Sequence, residues 1–151
     1  MQDFVPQDEN FERRVKESFS KQKMMHTIGA VLSKVQPGRV EISLAFRDDL
    51  TQQHGFLHAG VVGTLADTAC GYAAFSLMAP DAAVLTVEYK INLLSPAVGE
   101  SLLAVGMAIK PGRTLTVCSA DVFASREGEN KLIATMMATM MSIRGREGFT
   151  G

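Results

Sequence analysis

The chain has 151 residues, 46% of them hydrophobic, which suffices for one hydrophobic core and falls short of two ordinary ones. Fifteen basic residues stand against sixteen acidic ones, a formal charge of -1, so neither a nucleic-acid backbone nor an anionic membrane finds an electrostatic footprint. The two cysteines, Cys70 and Cys118, fall in different predicted elements, and the polar start MQDFVPQDENFERR is unlike a leader peptide; a reduced, cytoplasmic protein of one domain is expected.

Residues Asp8 to His26 read as one amphipathic helix, with Phe11, Val15, Phe19 and Met24 or Met25 along one side and Glu, Lys and Arg elsewhere. Two short β-branched runs follow, Ile28 to Val35 and Arg39 to Phe46, divided by Gln36-Pro37-Gly38, and a hairpin is the simplest reading. Leu50 to His58 is predicted as a loop and Ala59 to Met78 as a long helix closed by Ala79-Pro80-Asp81. The run from Ala59 to Pro80 has about the length of a membrane span. Asp67 near its centre would cost about 2.5 to 3.5 kcal/mol on insertion, so a span is rejected.

Beyond Asp81 the pattern is wholly β. Ala83 to Leu94 alternates Leu85, Val87, Tyr89, Ile91 and Leu93 with Thr86, Glu88, Lys90 and Asn92; one face is expected to be core and the other wet or lining a site. Ser101 to Lys110, Thr114 to Ser125 and Lys131 to Arg144 continue as an antiparallel meander, with turns at Pro111-Gly112 and Gly128-Glu129-Asn130. The last strand is apolar on both faces (Met136 and Met140; Ile133, Met137 and Met141), the pattern of a strand covered on both sides. A sheet curled around the long helix is the expected architecture, with residues 1–27 as a helical extension and 28–144 as the core. Its leftover face, or the edge of the helix, would pack on a second copy.

The segment QQHGFLHAGVVGTLAD, Gln52 to Asp67, carries the most chemistry. No residue other than Asp67 is ionised at neutral pH between His58 and Asp81, and a carboxylate in an apolar helix is costly without a partner, water or substrate. On a helical wheel it shares its face with Gly60, Gly63, Thr64, Gly71 and Ala74. Each helix-interior glycine costs about 1 kcal/mol, so three on one face imply a close approach there by a backbone or a ligand. The first helical turn leaves N–H groups unbonded, those of Ala59 and Gly60 among them, at the positive end of the helix dipole. Arg113 and Arg126 sit at strand ends where a cation could meet a phosphate. No metal-ligand spacing and no cofactor motif is present, and Cys70 has no His or second Cys near it at ligand spacing.

This loop and helix, with the later TVEYKINLLSPAVGE and the final hairpin, resemble the hotdog-fold acyl-CoA thioesterases, in particular the small PaaI-like, phenylacetate-pathway type, over about residues 28–144. The usual pattern there is an Asn, a Gly, His-Gly-Gly, an acid within the helix and an SPA-like turn. Here stand Gln52, Gly55, His58-Ala59-Gly60, Asp67 and Ser95-Pro96-Ala97, so Gln52 and Ala59 depart from it. The resemblance implies an α+β hotdog fold, a five- to six-stranded antiparallel sheet around one long helix, and a thioester hydrolase acting on acyl-CoA without a cofactor. It implies Asp67 as base or nucleophile, the amide of Ala59 or Gly60 as donor to the oxyanion, Gln52 orienting water, His58 ordering the loop, Thr86 holding the water or the acid, and Arg113 and Arg126 as contacts for the CoA phosphates. The acid and the oxyanion donor would come from different subunits of a homodimer, expected to pair into a homotetramer. A non-catalytic acyl-CoA binding protein and a hotdog dehydratase or hydratase stay open as alternatives.

Overall fold

The computed structural model describes residues 4–149. Two short helices, α1 (Phe11–Ser20) and α2 (Lys23–Ile28), lead into strands β1 (Ala30–Gln36) and β2 (Arg39–Ala45). A single 3-10 turn, the 50s loop and the long helix α3 (Ala59–Phe75) follow, then β3 (Ala83–Leu93), β4 (Ser101–Lys110), β5 (Leu115–Arg126) and β6 (Glu129–Ile143). All neighbouring strands are antiparallel, in the order β1-β2-β4-β5-β6-β3. The sheet wraps α3, and its inner face explains how closely: Ala104, Gly106, Ala108, Cys118, Ala120, Ala124, Ala134 and Ala138 are small. Small side chains let the helix axis sit near the sheet, and the larger Val62, Leu65 and Phe75 of α3 fill the remaining space.

The closest approach lies at Gly106, where a Cβ would fall on the carbonyl group of Ala69. The expected approach to the glycines of α3 is not made by this chain, because a Cβ at Gly63 or Gly71 would meet nothing within 4 Å. That open stripe is left for a ligand or a second molecule.

The N-terminal segment differs from the single helix expected. It breaks at Gln22, whose backbone is extended (φ -76, ψ 102), and the break turns Met25 and Ile28 into the core. Ile28 therefore ends a helix instead of opening a strand, and Gly29 (φ 78) supplies the left-handed cap. Arg14, expected on the solvated side, is drawn under the C-terminus of α3. Its guanidinium donates to the carbonyls of Phe75 (3.1 Å), Met78 (2.8 Å) and Ala79, lies 4.4 Å from the Phe75 ring centre, and pairs with Asp8 at 3.4 Å. A cation there neutralises the helix's negative end, and α3 ends at Phe75, before the predicted Met78, where the Leu77 and Met78 amides turn to the carbonyls three residues back, Ala74 and Phe75.

Strand β3 also departs from the alternation read in the sequence. A bulge between Thr86 and Glu88 leaves Val87 unpaired, and an inserted residue reverses the phase of everything beyond it. Thr86 opposes Met140 while Tyr89, Ile91 and Leu93 oppose Ala138, Met136 and Ala134, all inner-face residues, so Thr86 faces α3 together with the apolar set. The outer face of β6 is open at Met137, which is 48% exposed, whereas Ile133, left unpaired at the irregularity between Leu132 and Ala134, is buried along with Met136 and Met140. Edge strand β3 likewise exposes Leu85, Val87, Tyr89 and Leu93.

Candidate active site

The 50s loop is built to present the start of α3. Thr51 bridges to Leu57, Gln52 N–H donates to Phe56 O (2.8 Å), and Gly55 turns the chain at φ 80. Two further bonds anchor the exit, from His58 N–H to Leu50 O and Leu57 N–H to Ala97 O, both 2.9 Å. His58 is the N-cap of α3 (φ -61, ψ 139), and its Nδ1 accepts from the Gly60 N–H at 2.8 Å. An accepting Nδ1 puts the proton of the neutral ring on Nε2. His58 O accepts from the Val61 and Val62 amides. The Gly60 N–H is thus engaged, and among the described residues the first-turn amide left without a partner is that of Ala59. The Gln52 side-chain oxygen accepts from the His54 N–H, which leaves its amide nitrogen as a donor. Both Gln52 and Ala59 border an apolar cavity of about 450 Å³ walled by Phe56, Val62, Leu93, Leu94, Pro96 and Ile133.

Asp67 lies on the open stripe of α3, where Gly60, Thr64 and Gly71 also reach solvent. Thr86 Oγ1 donates to Asp67 Oδ1 at 2.8 Å, a contact that exists because the β3 bulge turns Thr86 inward. Burial pushes the Asp67 carboxyl above the usual carboxylate range, and the Thr86 hydrogen bond opposes part of that rise. The acid borders a second, smaller cavity of about 170 Å³ with Gln22, Thr68, Gly71, Tyr72, Val84 and Leu85. Gln22 had no signal in the sequence. Its amide donates to the Tyr72 hydroxyl (3.0 Å), which also meets Ser18 Oγ at 3.2 Å, so the N-terminal extension closes one side of the Asp67 cavity. A buried phenol needs a polar partner, but nothing local says which residue provides it.

Within one chain the two halves stay apart. Ala59 and Asp67 are eight residues apart on α3, about 12 Å at 1.5 Å per residue, and they border different cavities. The two arginines are farther apart still: Arg113 precedes β5 and Arg126 ends it, about 40 Å along an extended strand, so one phosphate group cannot meet both. Cys70 and Cys118 are buried free thiols, pushed up by burial, Cys118 to about 12, and are inert as nucleophiles. No helix among the described residues is long and apolar enough to cross a membrane.

A six-stranded antiparallel sheet curled around one apolar helix, with a capped helix start opening on a cavity, defines a hotdog-fold protein. The chain belongs to the Thioesterase superfamily, whose family model matches residues 54–131. It is similar to a thioesterase family protein from Silicibacter pomeroyi of known structure, with 53% identity, 89% of this chain and 99% of that chain covered, and a TM-score of 0.88. Human acyl-coenzyme A thioesterase 13 is 29% identical over 106 residues, covering 68% of this chain and 72% of that protein. The 1,4-dihydroxy-2-naphthoyl-CoA hydrolase of Listeria monocytogenes is 29% identical over 94 residues, 62% of this chain and 76% of that one. The PaaI protein of E. coli shares the fold, with a TM-score of 0.80 at 18% identity over 92% of this chain and 97% of that one. The chain is accordingly a thioester hydrolase.

Proposed function

We propose that this hydrolase cleaves acyl-CoA to the free acid and CoA at a site formed between two copies of the chain. The observation that carries this reading is the position of Asp67: the one acid of α3 stands on an open glycine stripe, held by Thr86. The unbonded amide that could hold an oxyanion is about 12 Å away along the same helix, too far for both to act on one carbonyl in one chain. A second copy, paired along the exposed apolar edge of β3, brings the Asp67 of one molecule toward the helix start of the other. Open space at Gly63 and Gly71 permits that approach.

In this arrangement the Ala59 N–H, at the positive end of α3, stabilises the oxyanion as the thioester carbonyl becomes tetrahedral. Asp67 either takes the proton of an attacking water or attacks to give a mixed anhydride that water then cleaves. Gln52 orients the water through its free amide donor, and His58 holds the loop by capping the helix. The apolar cavity beside Ala59 takes the acyl group, and CoA leaves as the thiolate. Two buried unpaired thiols support a reducing, cytoplasmic setting. The relatives named for CoA thioesters support the substrate class.

The test is thiol release from short, medium, long and aromatic acyl-CoAs. Turnover on at least one, lost about a hundredfold or more in Asp67→Asn, is the expected result. Full activity in that variant would remove Asp67 from the mechanism, and tight binding without cleavage of any ester would make the chain an acyl-CoA binder.

A further inference from the structure

At the end of the sheet beneath the C-terminus of α3, two guanidiniums border the same space. Arg113, in the β4–β5 turn, and Arg144, just past β6, line a recess of about 260 Å³ with Thr114 and Ser142. Both also border an adjoining cavity of about 490 Å³ with walls of Phe4, Val5, Leu77 and Pro111. Neither guanidinium makes an ion pair with a carboxylate among the described residues; Arg144 has only a 3.4 Å contact to the Gln7 amide oxygen. Ser142, one of the residues lining the recess, has an Oγ that is sealed from water and has no hydrogen-bond partner, a costly state for a hydroxyl.

Two like charges around one hollow, with an orphan hydroxyl behind them, make a receptor for an anion with several acceptor oxygens. The apolar hollow beside it, with an aromatic ring and a proline for walls, suits a flat base. We propose that this paired recess binds a nucleoside phosphate, the phosphates between Arg113 and Arg144 and the base against Phe4 and Pro111.

Its position links it to the reaction. Ser142 pairs with Val84, which is a wall of the Asp67 cavity, and Arg144 is four residues along from Met140, the partner of Thr86, about 13 Å by strand rise. A pantetheine arm covers that span, so the nucleoside phosphate is the distal end of coenzyme A. This identification rests on the acyl-CoA reading above; the binding of a nucleoside phosphate does not.

Calorimetry on the full chain with 3′,5′-ADP, AMP, CoA and inorganic phosphate, with Arg113→Ala, Arg144→Ala and Ser142→Ala, tests the recess. Binding of 3′,5′-ADP and CoA, weakened about tenfold by each arginine substitution, is expected, as is a weaker effect of Ser142→Ala on a protein at least as stable as the parent. Equal binding of 3′,5′-ADP by the arginine variants and the parent would overturn the proposal. Kinetics separate it from the acyl-CoA reading. For an ester that is hydrolysed, the preference for the CoA thioester over the N-acetylcysteamine thioester should fall about tenfold in Arg113→Ala and Arg144→Ala through KM. An unchanged preference would overturn the assignment to CoA and make the occupant a free nucleotide. If no thioester is hydrolysed, the acyl-CoA reading fails while 3′,5′-ADP binding still decides the recess.

Discussion

Thr86 Oγ1 donates to Asp67 Oδ1 at 2.8 Å across from β3 to α3, and this bond opposes the rise that burial imposes on the carboxyl. A hydrogen bond to the charged form favours that form. Thr86→Val should therefore raise the Asp67 pKa further, shift the acid limb of the kcat/KM profile to higher pH and lower neutral-pH activity about tenfold. Thr86→Ser should preserve the profile. An unmoved acid limb in Thr86→Val would separate the two residues functionally.

Asp67 should also cost stability. Its folded-state pKa is raised, so the native state binds more protons than the unfolded chain between the two values, and stability falls as pH rises from the unfolded to the folded pKa. Asp67→Asn should unfold at higher temperature than the parent near neutrality, with the gap closing in acid below the ordinary aspartate range, as followed by thermal melts across pH.

Ala59→Pro isolates the oxyanion donor. Proline at the first helical position is tolerated, and His58 already has the extended backbone (ψ 139) that precedes proline. The variant should fold and lose about a hundredfold in kcat. Refolded together with Asp67→Asn in equal amounts, it should recover about a quarter of parental activity, because half of random dimers are mixed and each mixed dimer has one intact site. No recovery would mean that both groups act from one chain.

Arg14→Met should destabilise the protein by about 3 kcal/mol, because it removes the donor to the Met78 and Ala79 carbonyls just beyond α3 and leaves Asp8, 9% exposed, without its partner. Denaturant midpoints at constant slope measure this.

Gly106→Ala should cost about 3 kcal/mol or more, since the added methyl would overlap the Ala69 carbonyl, a backbone group that cannot move aside. Gly63→Ala, with open space around its Cβ, should gain stability as a lone chain and lose activity if a second copy approaches there.

The strand and helix pattern was legible in the sequence wherever one face of an element is buried against the core. β2 shows this well, with Val40, Ile42 and Leu44 buried in strict alternation. The exceptions have physical causes. Val87 reads as an ordinary member of an alternating strand, and only pairing with β6 makes it a bulge; Arg14 reads as a surface charge until the end of α3 lies above it.

The candidate site divides along the same line. His58, Ala59 and Asp67 were marked by the sequence itself, because a cap, a turn and a lone acid are local relations within one loop and helix. That the Thr86 hydroxyl reaches the acid, which the resemblance alone had implied, and that Gln22 and Tyr72 close its cavity were decided only by tertiary structure. Those contacts join residues from 19 to 50 positions apart, and neither periodicity nor local spacing encodes where two distant elements touch.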